Sequence, residues 1–297
     1  MLAAGGLSAM ISGGNVTIYV SNMDAAVRFY TEALGLKLTN RFGDHWATVQ
    51  AGPSYWTTEG VLAGLTIGLH PQSPTHPAPG TRGAVGYGLE TYEPIERVVE
   101  QLGERGVRIT SDIIRYEGGN CVAIEAHDAN PTYVNEFPPE GTGSPAGIAD
   151  PVPDMVSGGH AIVYVSSMDN AVRFYTEVLG LKLTNRFGDN FATVEAGRLV
   201  IALHPQTPNT PAPPGTKGSM ALGLAVDEPI DRVVARLTER GVRITGDSDR
   251  SKSNAVVEFE DPDGNDLYLW PEAKPARDKD DAERRLQPAR DDQMTRA

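Results

Sequence analysis

The feature that most constrains this chain is an internal repeat. MDAAVRFYTEALGLKLTNRFGDHWATVQAG, from Met23 to Gly52, returns as MDNAVRFYTEVLGLKLTNRFGDNFATVEAG from Met168 to Gly197, with five differences over the 30 positions. The match extends to LTIGLHPQ and LVIALHPQ, which end at Gln72 and Gln206, and to EPIERVVEQLGERGVRIT and EPIDRVVARLTERGVRIT, which end at Thr110 and Thr245. The starts also correspond, MISGGN from Met10 and MVSGGH from Met155. A repeat of this length is a domain-sized unit used twice, and 297 residues suffice for two such cores.

The repeat sets the expected organisation. Residues 1–9 are an N-terminal extension, 10–137 the first domain, 138–156 a Pro/Gly-rich linker, 157–271 the second domain, and 272–297 a charged tail read as disordered. The first copy carries about eleven extra residues near PSYWTTEGVLAG, where the second has a short turn. A formal net charge of −13 disfavours nucleic acid and anionic membrane surfaces as partners. No apolar run approaches the roughly 20 residues of a membrane span. The first fourteen residues lack the positive start and long apolar centre of a secretory signal, so the expected location is the cytoplasm. The single cysteine, Cys121, in the apolar run CVAI, reads as a core thiol.

Within each copy strand and helix alternate in fixed order. Asn15–Val20 and His160–Val165 are short, β-branched strands followed by Ser/Asn-Met-Asp, a helix cap. The helix puts Ala26, Phe29, Tyr30, Ala33 and Leu34 on one face and stops at Gly35. Strands follow around the NRFGD turn and at LTIGLH. A second unit then repeats the order: strand AVGYGLE, a helix with Pro94 in its first turn and apolar Ile95, Val98, Val99 and Leu102, then Gly106. The expected class is α+β: two tandem domains, each a paired βαβββ module whose curved mixed sheet forms a cavity.

HAIVYVSSMDNAVRFYTEVLGL at His160–Leu181 and VVEFEDPDGNDLYLW at Val256–Trp270 resemble the vicinal oxygen chelate superfamily, which includes glyoxalase I, bleomycin-resistance proteins, fosfomycin-resistance enzymes and extradiol dioxygenases. The resemblance spans nearly all of both copies. It implies glyoxalase-like domains, and a scaffold that hosts isomerases, lyases, dioxygenases and plain binders. It also implies metal ligands on the first, fourth, fifth and eighth strands. Those positions align with Asn15 and His160, Thr66 and Val200, Gly86 and Ala221, and Asn135 and Tyr268. Neither copy supplies the three or four His, carboxylate or thiolate ligands that a divalent ion needs, and combining the halves crosswise fails too. The one residual metal candidate is His160 with Glu136, if a one-residue bulge turns Glu136 inward. No cofactor is expected.

Strand parity gives the expected cavity lining: Tyr19, Trp46, Thr48, His70, Asn135, His160, Tyr164, Phe191, Thr193, Glu195, His204 and Tyr268. Aromatic surface with few polar groups suits a small-molecule pocket. Arg41 and Arg186 in NRFGD read as turn arginines paired with Asp44 and Asp189, with an anion clamp as the alternative. The first functional reading is a metal-independent small-molecule binder of the bleomycin-resistance type, sequestering a drug or metabolite. The alternative is a glyoxalase-, dioxygenase- or epimerase-type enzyme with a residual metal near His160, or with His204, Glu195 and Tyr268 as acid-base groups. A third reading makes one copy a tethered structural partner. Pairing of the copies within a monomeric chain is expected, because tethering sets their effective concentration at about millimolar.

Overall fold

A computed structural model of the chain describes residues 10–58, 63–116, 119–137, 155–208, 210–248 and 255–272. The expected extension, most of the linker and nearly all of the charged tail lie outside those residues. The first copy runs β1 (Ile11–Val20), α1 (Met23–Arg28), β2 (Lys37–Phe42), β3 (Trp46–Pro53), β4 (Gly64–Pro71), β5 (Val85–Thr91), α2 (Ile95–Glu104), β6 (Arg108–Ile109), β7 (Ile114–Tyr116), β8 (Gly119–Glu125) and β9 (Pro131–Glu136). The second repeats it with β10 (Gly158–Val165), α3 (Met168–Arg173), β11 (Lys182–Phe187), β12 (Phe191–Ala196), β13 (Leu199–Pro205), β14 (Met220–Val226), α4 (Ile230–Glu239), β15 (Ile244–Asp247), β16 (Val257–Glu260) and β17 (Asp266–Pro271).

The local signals act as the sequence predicts. Asn22 Oδ1 accepts from Ala25 N at 2.8 Å and Ser167 caps α3 in the same way, satisfying helix-start donors that have no intrahelical partner. Both first helices widen into a π turn, Phe29–Ala33 and Phe174–Val178, and end at Gly35 and Gly180, whose positive φ suits a residue without Cβ. Ala26, Tyr30 and Leu34 are fully buried, and Phe29 and Ala33 pack at the edge of the same core. Pro94 sits one residue before α2, as its N-cap, and Ile95, Val98 and Leu102 face inward. The strands place Val16, Ile18, Ala47, Val49, Ile67 and Leu69 under the helices, all fully buried, so the alternate residues face the other way, into a cup.

The sequence leaves open which halves close each cup, and the halves pair crosswise. β1 runs antiparallel to β14, with Asn15 opposite Gly223, and parallel to β4. β10 runs antiparallel to β5, with His160 opposite Gly88, and parallel to β13. One cup therefore has the order β2-β3-β4-β1-β14-β17-β16-β15, joining the first half of copy one to the second half of copy two. The other has β11-β12-β13-β10-β5-β9-β8, with β6 and β7 on β8. We call them the Asn15 cup and the His160 cup.

Glycines permit this crossing. A Cβ on Gly14 would run into Gly223 O, and one on Gly83 would stand 2.5 Å from Gly218 N. Gly14→Ala or Gly83→Ala should each cost about 1–3 kcal/mol, the usual penalty of overpacking against backbone. Gly86→Ala, which meets nothing within 4 Å, should be near neutral. Urea denaturation midpoints of the three variants check this.

Candidate functional site

On the inner face of β1, Asn15 and Thr17 are 4% and 3% exposed, and their partner across the cup is Tyr268 on β17. The three close a ring. Asn15 Nδ2 donates to Thr17 Oγ1 at 2.9 Å, the Thr17 and Tyr268 hydroxyls lie 2.6 Å apart, and the Tyr268 hydroxyl donates to Asn15 Oδ1 at 3.2 Å. Each hydroxyl has one proton, so the ring runs in one sense only, with Thr17 donating to Tyr268. Burial pushes the Tyr268 phenol above its ordinary value, so the ring is neutral. Beside it the indole of Trp46 occupies the space left by Gly68, where any Cβ would overlap the ring. At the far end of the cup Tyr19 stacks on His76 at 4.1 Å and meets His70 edge-on at 5.5 Å. His70 Nδ1 can only donate to Pro71 O, at 2.7 Å, which fixes the orientation of the ring.

The His160 cup is built on a buried carboxylate. Glu90 on β5, 2% exposed, accepts at Oε1 from His160 Nδ1 and from Ser54 Oγ, both at 2.6 Å, and at Oε2 from Tyr55 N at 2.5 Å. Ser54 and Tyr55 belong to the extra segment of copy one, which leaves β3 and crosses into this cup. Tyr55 stacks on Phe137 at 4.4 Å, and Trp56 packs 5.0 Å from Phe191, 6.0 Å from Phe187 and 5.4 Å from Phe137. Thr58 N donates to Glu195 Oε1 at 2.5 Å, and Lys182 Nζ donates to Thr58 Oγ1 at 2.9 Å. The protein's own loop thus fills one side of the cup. The second copy's short turn reaches the other cup at Arg198, which pairs with Glu272 at 2.6 Å.

The expected lining residues divide between the cups. Tyr19, Trp46, Thr48, His70 and Tyr268 lie in the Asn15 cup, and Asn135, His160, Tyr164, Phe191, Thr193, Glu195 and His204 in the other. The Thr48 and Thr193 hydroxyls are taken by Thr39 and Thr184, at 2.8 and 2.7 Å. Two alignments need correction. The residues opposite Asn15 and His160 are Gly223 and Gly88, two positions beyond Ala221 and Gly86, and Tyr133, paired with Gly88, is the counterpart of Tyr268, so Asn135 matches Trp270. Glu136 does not turn inward beside His160. Without a bulge it stays on the helix side of β9, where its carboxylate accepts from Asn120 Nδ2 at 2.7 Å and from Ile95 N at the start of α2. Arg41 and Arg186 are structural: each binds an aspartate at the start of its first helix, Asp24 or Asp169, and the turn aspartate at 3.2 Å. Cys121 is half-buried, and burial pushes its thiol up, away from the nucleophilic form.

Sequence reasoning missed Glu90 and the crossing loop. The available signal was the difference between copies, because Ala225 stands where copy one has Glu90, and the eleven extra residues occur once.

The residues at the family's ligand positions do not fit a divalent ion. The Asn15 cup offers Asn15, Thr66, Gly223 and Tyr268; the His160 cup offers His160, Val200, Gly88 and Tyr133. Among the described residues no three His, Cys, Asp or Glu side chains converge.

Comparison with known proteins agrees with the fold. Maize (Zea mays) glyoxalase I superposes with a TM-score of 0.59 at 17% identity, covering 88% of this chain and 91% of that one. A single-residue mutant of the same maize enzyme gives 0.60 at 17%, covering 89% and 93%. Virulence protein STM3117 of Salmonella typhimurium is 32% identical over 114 residues, 36% of this chain and 77% of that protein. The family model "Glyoxalase/Bleomycin resistance protein/Dioxygenase superfamily" matches residues 14–132 and 158–269, one segment in each copy. With both copies matched and their inner faces built on the same plan, the chain belongs to the glyoxalase/bleomycin resistance protein/dioxygenase superfamily.

Proposed function

We propose that this protein is a metal-independent binder of a small organic molecule, which it takes into the Asn15 cup as a monomer whose copies pair within the chain. The observation that carries this reading is the neutral ring of Asn15, Thr17 and Tyr268. Asn15 and Tyr268 stand where the resemblance implies metal ligands, and all three groups can exchange hydrogen bonds with a ligand, but none is a ready base, nucleophile or metal donor. Trp46 and Tyr19 supply flat apolar walls around it, each meeting the polar His70 ring edge-on. A thermal-shift panel of drugs and metabolites tests the reading. A true ligand at a hundred times its Kd adds about 2.7 kcal/mol of stability, and Tyr268→Phe or Trp46→Ala should abolish the shift. Silence across a broad panel, or a shift untouched by both variants, speaks against it.

A second reading has one specific observation in its favour. Glu90 accepts from His160 Nδ1 and so fixes the ring with Nε2 facing Gly88, the geometry of an oriented acid-base histidine. A turnover lost in His160→Gln but kept in Tyr268→Phe would favour it.

A further inference from the structure

We propose that the Asn15 cup takes an elongated aromatic anion, lying along β2 with its ring against Phe42 and Trp46 and its charge on Lys37. The proposal rests on the binding reading above and names the class of ligand. Its template lies in the other cup. There the strip from Lys182 to Phe187 on β11, with Glu195 and Phe191 beside it on β12, is contacted at both ends by the loop of copy one: Trp56 packs on Phe187 and Phe191, and Thr58 binds Lys182 and Glu195.

The repeat gives the Asn15 cup the same strip, and among the described residues nothing makes the contacts of Trp56 and Thr58 on it. Phe42 and Trp46 are directly opposite on β2 and β3, as are Lys37 and Gln50. Copy two has no inserted segment to lay across them. Glu195 is accordingly 8% exposed beneath Thr58, whereas its counterpart Gln50 is exposed; Phe42 is 62% exposed, and Phe187, with the indole of Trp56 at 6.0 Å, is 56% exposed. Lys37 has no ion-pair partner among the described residues. Its counterpart Lys182 lies 3.8 Å from the Glu195 carboxylate, but copy one replaces that glutamate with the neutral Gln50. A cleft of about 330 Å³, lined by Leu36, Lys37, Gln50, Gly52 and Ser157 among others, opens beside the lysine.

The occupant follows from what is missing. An apolar ring replaces Trp56 on Phe42 and Trp46, where aromatic pairs add to simple area burial. An anion replaces the carboxylate that Lys37 lacks; the chain's net charge of −13 opposes it at long range, so the attraction has to come from Lys37 at close range. Lys37 and Phe42 are five residues apart on a bulged strand, roughly 16 Å at most, so several bonds must separate ring and charge.

Calorimetric titration of the full chain with 4-(2-naphthyl)butyrate and its neutral amide tests this. The acid should bind about ten-fold or more tighter than the amide. Lys37→Gln should erase that difference, and Phe42→Ala should weaken both compounds about ten-fold. Lys182→Gln, the symmetric control in the other cup, should change neither by more than about two-fold. Equal binding of acid and amide, discrimination that survives Lys37→Gln, an equal loss in Lys182→Gln, or no binding of either compound overturns the proposal. The binding reading is judged separately, by whether any panel ligand depends on Tyr268.

Discussion

Produced alone, either copy should fail to behave as a folded monomer. The second copy, residues 155–272, contains β10–β13 and β14–β17, but these do not pair with each other: β10 uses β5 and β14 uses β1, both from the first copy. Severing the copies leaves two long strand edges bare in each, a template for association. It also removes the roughly millimolar effective concentration that the tether supplies. A single copy should therefore pair crosswise with a second molecule of itself or aggregate. The two copies produced together as separate chains should reassemble one to one. Light scattering decides it, and a soluble, cooperatively folding monomer of either copy would mean that the crosswise strand pairing is wrong.

Glu90→Ala should be among the most damaging single substitutions outside the apolar core. It strands three donors, His160 Nδ1, Ser54 Oγ and Tyr55 N, in a site where the carboxylate is 2% exposed. Removing one partner of a buried, hydrogen-bonded pair costs about 3 kcal/mol or more, which corresponds to a fall in Tm of about 6–12 °C for a domain pair of this size. The loop should come loose at the same time, making the chain sensitive to chymotrypsin at Tyr55 and Trp56. Glu90→Gln keeps one acceptor oxygen and should recover roughly half of the loss. Calorimetry with timed proteolysis measures both effects; an unchanged Tm in Glu90→Ala would remove the carboxylate from its role as the anchor of the loop.

How much of this was legible in the sequence depends on whether the cause is local. The caps at Asn22 and Ser167, the stops at Gly35 and Gly180 and the alternation in WATVQ and FATVE all arise from chain neighbours, and the elements form as those patterns require. The lining residues of both strands follow from the same parity. Pairing is different, because alternation decides which face of a strand is buried but says nothing about which strand lies beside it. Val85–Thr91 reads the same whether it joins β1 or β10, so the crossing had no local signature beyond the Gly-Gly pairs at 13–14 and 158–159. Glu90 escaped for a related reason. A glutamate closing a strand ordinarily points to solvent, and its burial here depends on donors that lie 35 and 36 residues earlier, in the loop, and 70 residues later, on β10. Glu136 was misjudged by supposing a bulge where the β8–β9 register is regular.

The chemistry of the two cups can be tested without knowing any ligand. Protein purified without chelator, dialysed and analysed for nickel, zinc, iron, manganese and cobalt should carry less than about a tenth of an equivalent of metal per chain, because a divalent ion needs three or four converging donors. Titration with each ion should leave Tm unchanged. One equivalent retained through dialysis, lost together with Tyr268 or His160 on substitution, would contradict the account and turn the scaffold back toward metal-assisted chemistry.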